Sequence, residues 1–275
     1  MRLSVVHEFR LESEEEMQRW VGFGAPRHQP ALDRQMRSVV VAVVIGLAVC
    51  PVAAVDGVIE INQACAANGG CVPGDAAGFP VTITASGSYR LTGNLETGNI
   101  NTSGIVVGAS SVSIDLNGFS IVGPGTCTGT PVTSCSPSGS SKGIDALSAS
   151  RITVRNGEVR GFGDQGVLVA FNLAQGNFLI ENVRAVENGN DGFKLGRNGT
   201  IRGCVASRNG GSGIAVEAGA LVVDNAMSGN ANSGLHAFGG AGVGYARNVI
   251  NDNTTNVSVG PTQLGPNLCN NALCP

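Results

Sequence analysis

Gly192-Phe193-Lys194-Leu195, Gly213-Ile214-Ala215-Val216 and Gly234-Leu235-His236-Ala237 repeat one phrase: glycine, then apolar, variable, apolar. Earlier copies stand at Gly104-Ile105-Val106-Val107, Gly143-Ile144-Asp145-Ala146 and Gly166-Val167-Leu168-Val169, and Asn256-Val257-Ser258-Val259 ends the series. The apolar residues alternate with period two, which is a strand and not a helix. A second strand phrase lies mid-unit (Ile152-Thr153-Val154-Arg155, Leu179-Ile180-Glu181, Thr200-Ile201-Arg202, Val222-Val223-Asp224, Tyr245-Ala246-Arg247). A third apolar segment follows, and then Asn188, Asn209, Asn230 or Asn253. Three short strands in about 21–23 residues, separated by Gly and Asn, describe one coil of a parallel β-solenoid. Leucine-rich repeats would need fixed Leu positions, and these are missing.

Composition agrees. The 275 residues include 41 Gly but only nine Phe, two Tyr and one Trp, so the core is narrow and not built on large rings. A hydrophobic share of 42% with a net charge of −3 does not describe a disordered chain. Without a basic excess there is no electrostatic footprint for nucleic acid.

Stacking the phrases gives ladders about 4.8 Å apart. One outward column is expected to read Asp115, Arg155, Glu181, Arg202, Asp224, Arg247, with alternating sign. Beside it Asn156, Asn182, Gly203, Asn225 and Asn248 would form an amide ladder. An inward column Val183, Cys204, Ala226, Val249 would make Cys204 a small buried hydrophobe and not a reactive thiol.

The N-terminus reads as an export signal. Val39 to Val49 is apolar, Arg34 and Arg37 precede it, and Val52 and Ala54 place a cleavage site after Ala54. Residues 36–54 are therefore assigned as signal peptide, with translation beginning at Met36 and residues 1–35 a doubtful leader. The alternative keeps 39–55 as a membrane anchor. Six cysteines form close pairs around turns, Cys65 with Cys71, Cys127 with Cys135, and Cys269 with Cys274, as suits an oxidising compartment. A secreted or periplasmic monomer that leaves the membrane after cleavage is expected. One His and one Met beyond residue 54 give no metal-ligand set, and no cofactor is expected.

Residues 104–260 resemble right-handed parallel β-helix proteins of the pectin-lyase-like superfamily. Asp56-Gly57-Val58-Ile59-Glu60-Ile61-Asn62-Gln63, Gly74 to Ile83 and Ser88 to Leu95 are similar to exported bacterial β-helix proteins. The resemblance implies an all-β, right-handed helix of three strands per coil, with its ends covered. Residues 55–103 would be the N-terminal cap and first strands, with a short helix over Asn62 to Asn68, and 261–275 the C-terminal cap. It also implies where catalysis would be sought. The Asn-Thr-Asp, Asp-Asp, Gly-His-Gly and Arg-x-Lys signatures of polygalacturonase-like hydrolases are missing. No two acidic residues adjoin beyond residue 54 to hold the calcium of pectate-lyase-like enzymes.

One strand face nevertheless carries chemistry. Asp145, Lys194, Glu217 and His236 fall on the outer side of the glycine phrase, with Lys194 and His236 about two coils, ~10 Å, apart. These are the candidate catalytic acid and base groups, and Phe171 and Phe238 are candidate sugar-stacking residues. Insertions at 123–142 and 171–177 flank this face as groove walls. The sequence supports a carbohydrate-binding or surface-interaction module for a polysaccharide or cell-surface glycan. A polysaccharide lyase, hydrolase or epimerase, and an inert adhesive solenoid, are the alternatives. N-terminal sequencing of the secreted protein should begin at Val55; a chain that keeps 39–55 would contradict the signal assignment.

Overall fold

The computed structural model describes residues 57–171, 176–239, 242–258 and 260–274. The leader, signal and anchor readings of residues 1–55 lie outside the described residues. Eight coils stack into a parallel β-solenoid. The glycine phrases supply an eight-stranded sheet, from Val81–Ile83 through Ile105–Val107, Ile144–Ala146, Val167–Val169, Phe193–Leu195, Ile214–Val216 and Ser233–Ala237 to Thr255–Ser258. The other two strands of each coil merge into one sixteen-stranded sheet, because Ile152–Arg160 and Leu179–Val186 run unbroken through the corner between them. Asn156 and Asn182 turn that corner at φ 61° and 55°, the left-handed region that Asn tolerates.

Inward residues stack by type. Ile105, Ile144, Val167, Phe193, Ile214 and Leu235 make one fully buried column, and Val107, Ala146, Val169, Leu195, Val216 and Ala237 another. A helix, Gln63–Asn68, lies near the N-terminal end, capped by the Asn62 side chain on the Cys65 N–H at 3.0 Å. The three expected disulfides, Cys65–Cys71, Cys127–Cys135 and Cys269–Cys274, are all present.

The turns are tied by two buried amide ladders. In the first, the Asn209 side-chain oxygen accepts the backbone N–H (3.1 Å) and Nδ2 (3.0 Å) of Asn188. Asn230 does the same for Asn209, and Asn253 for Asn230. Each Nδ2 also donates to a backbone carbonyl of the coil below, so the side-chain amides of the ladder are satisfied in this apolar interior. The ladder explains the glycine of the phrase: a Cβ on Gly192 or Gly213 would stand 2.7 or 2.8 Å from the Nδ2 of Asn209 or Asn230.

The second ladder corrects the register expected from sequence. Asn225, Asn248 and Asn267 are buried and bonded to one another in the same way, and the Cys204 N–H donates to Asn225 Oδ1 at 2.9 Å. Cys204 therefore continues into Asn225 and Asn248, while Ala226 is only half-buried and Val249 is exposed. Burial pushes the Cys204 thiol up to about 12, as befits a small buried hydrophobe.

The charge column shifts for the same reason. Glu60, Arg90, Asp115, Arg155, Glu181 and Arg202 do stand in register, but Arg202 opposes Val223, not Asp224. Asp224 and Arg247 occupy the left-handed corner instead, at φ 59° and 54°. The charges close as separate pairs, with Arg155–Asp115 at 3.2 Å, Arg202–Glu181 at 2.6 Å and Arg247–Asp224 at 2.6 Å.

Asn230→Ala would strand the Asn209 N–H and the Ala206 carbonyl in the interior, so a loss of about 3 kcal/mol is expected in denaturant titration. Arg202→Ala at the exposed pair should cost less than about 1 kcal/mol. Cys204 should resist alkylation in native protein at pH 8 and react on unfolding, as read by peptide mass spectrometry.

Candidate functional site

Every second residue of the eight-stranded sheet points outward, and the column through the middle of the glycine phrase reads Val106, Asp145, Leu168, Lys194, Ala215, His236, Ser258. Lys194 and His236 are thus two coils apart with Ala215 between them, the spacing expected from sequence. They share a concavity of about 530 Å³ with Asn190, Asp191, Ser212, Asn232, Ser233, Phe238, Thr254, Thr255 and Ser258. Ala215, between the two basic groups, is fully buried.

The four expected acid and base residues do not all line one cavity. Asp145 lies two coils from Lys194 on the side away from His236, and Lys142 holds it at 3.9 Å. Lys142 also reaches Asp164 at 3.4 Å, and Asn190 Nδ2 donates to Asp164 Oδ1 at 3.0 Å. Glu217, expected on the outer face between Lys194 and His236, is buried and does not line the concavity. Only Lys194 and His236 meet there.

Asp191 is the residue that the sequence reading missed. It is 7% exposed, and its Oδ1 accepts the Ser212 N–H at 2.8 Å. Its Oδ2 has no hydrogen-bond partner among the described residues. Burial pushes its pKa above the ordinary carboxylate value, against the opposing pull of the Ser212 N–H and of the Lys194 and His236 charges. Asp191 stands in the turn just before Gly192, in a column that reads Lys142, Gln165, Asp191, Ser212, Ser233, Thr255. That column is polar in every coil, which was the available signal.

Aromatic rings close one side. Phe171 and Phe238 meet edge to face with centroids 5.1 Å apart, and the Lys194 ammonium sits 4.6 Å from the Phe171 centroid and 5.7 Å from that of Phe238. The His236 ring lies 4.3 Å from Phe238, and its Nδ1 is 2.6 Å from Ser258 Oγ, which in turn accepts from Ser233 Oγ at 2.9 Å. Across the sheet from these rings, the 123–142 insertion folds into an antiparallel hairpin, Thr126–Gly129 with Val132–Ser136. The hairpin is bound along the turns: Arg208 Nη2 donates to the Cys127 carbonyl at 2.6 Å and the Val132 N–H to Gly229 O at 2.9 Å. A Cβ on Gly210 would collide with the Gly189 carbonyl of the coil below and stand 2.9 Å from Cys135 Sγ of the hairpin. Among the described residues no group of three or more His, Cys, Asp or Glu is placed to hold a metal ion.

The right-handed β-helix region model matches residues 80–255, well over half of the chain. The chain belongs to the right-handed β-helix family. No curated protein matches this β-helix. It is similar to a solved structure described as "Crystal structure of Agl-KA catalytic domain", with a TM-score of 0.37 and 19% identity over 65% of this chain. This β-helix spans 39% of the length of that chain.

The Asp191 carboxyl should titrate above a surface Asp by NMR. Lys194→Met should raise it further, because the ammonium favours the ionised carboxylate. A fall on substitution would contradict the electrostatic assignment.

Proposed function

We propose that the protein is an extracellular glycan-binding β-helix whose ligand lies in the groove between the disulfide-closed hairpin and the Phe171–Phe238 pair. The lining carries this reading. Hydroxyl and amide side chains (Asn190, Ser212, Asn232, Ser233, Thr255) face a floor edged by Phe238, which suits a ligand with hydroxyls around its rim and apolar C–H faces. Three disulfides support an oxidising, extracellular setting. Binding is favoured over turnover because Asp191 is the one carboxylate among the described residues lining the groove, whereas glycoside hydrolysis ordinarily uses two.

A second reading, a polysaccharide lyase, hydrolase or epimerase, draws on Asp191 itself. A buried carboxyl with a raised pKa beside a lysine and a histidine is a group suited to proton transfer. The two readings separate on a glycan array followed by incubation with the winning glycans. Retention without new reducing ends or unsaturated product is expected. Phe238→Ala should weaken retention by about tenfold or more, since a stacking ring contributes on that scale. Turnover abolished by Asp191→Asn would replace the first reading with the second, and no retention of any glycan would remove the first.

A further inference from the structure

The groove is closed at one end and open at the other. On the side of the earlier coils, Lys142 starts in the Asp191 column and reaches Asp145 in the Lys194 column and Asp164 in the Asn190 column. Lys142, Asp145 and Asp164 thus form a charge-paired bar on that side, and none of the three lines the cavity. Leu168, the floor position directly beneath Lys194, is already buried at 5% exposure. In the other direction Ser212, Ser233 and Thr255 continue the Asp191 column coil by coil to Thr255–Ser258, the last strand of the eight-stranded sheet among the described residues.

The geometry points to a chain-end site: the groove holds the terminal unit of an uncharged glycan against Asp191 and leads the next units over Ser212, Ser233 and Thr255 toward the last coil. This rests on the glycan-binding reading above and adds which part of the glycan is held. Three observations support it. The Asp191 side chain is more than nine-tenths buried, lines the cavity, and keeps Oδ2 without a partner among the described residues, as an acceptor for a sugar hydroxyl needs. The cavity ends at the Asp191 coil on that side, since neither Leu168 of the next coil nor Lys142 and Asp145 beyond it line it. The column from Asp191 to Thr255 covers three coil steps, about 14 Å, room for about three sugar rings end to end. Asp191 and Lys194 bring opposite charges to the same pocket, so the pair adds no net charge that a charged terminus would be needed to balance.

The test uses the secreted protein and linear oligosaccharides of glucose, mannose and xylose, one to six units long. Each is offered free, with its terminal hydroxyls methylated, and, for the α-linked glucose series, against the cyclic six-unit ring. Calorimetry on the best-binding series should show affinity rising up to about three units and then levelling. Methylated ends and the ring should bind about thirtyfold more weakly or not at all, and Asp191→Asn about tenfold more weakly, with unchanged thermal unfolding.

Affinity that keeps rising beyond four units, or methylated ends that bind within threefold, would overturn the chain-end site while leaving glycan binding intact. Failure of every series to bind would overturn both. The ligand-side comparison needs no variant, so it decides the matter even if Asp191→Asn fails to fold.

Discussion

Each coil must lie on the next at strand-pairing distance while its corners turn inside an apolar column. The corners bury peptide groups that no strand can pair, and the two asparagine ladders are the answer to that problem. One amide oxygen accepts both a backbone N–H and a side-chain N–H from the coil below, and the same amide donates to a further carbonyl. Removing one amide leaves several buried groups without partners, so the ladder is costly to break and specifies one register. The glycines of the repeated phrase follow from it, because a side chain there would collide with the ladder. Register then decides which outward residues become neighbours across coils, and so decides the groove.

The same register separates the surfaces of the solenoid. On the sixteen-stranded sheet, charges meet opposite charges and cancel, as in Arg155–Asp115 and Arg202–Glu181. On the eight-stranded sheet, Lys194 packs against phenylalanine rings, and Asp191 is drawn into the wall with only Ser212 hydrogen-bonded to it among the described residues. The hairpin lies along the turns on one side of this sheet and Phe171 with Phe238 on the other. The groove is thus the place where an outward column is walled and not self-neutralised.

Where the phrase begins with glycine, the sequence was readable to the residue: the column that places Lys194 two coils from His236 is seen as expected. The sixteen-stranded sheet was harder. Alternating charge fits either of two registers one residue apart, and the choice between them rests on whether Asn225 or Ala226 is buried beside Cys204. Hydrophobicity favours Ala226, yet the structure buries Asn225, because its amide satisfies the corner. Asp191 escaped notice for a related reason. It lies in a turn whose residue type varies from coil to coil, and its burial comes from neighbouring coils, not from its own strand. Glu217 and Asp145 share the outward face in sequence, but burial takes one out of the groove and the Lys142 bar takes the other.

A crystal structure with the best-binding oligosaccharide tests the central claim directly. The account predicts density in the walled groove, a sugar ring against Phe238, and a terminal hydroxyl within hydrogen-bond distance of Asp191 Oδ2. Sugar bound on the charge-paired sixteen-stranded sheet, or a chain running past Lys142 across Asp145, would contradict it.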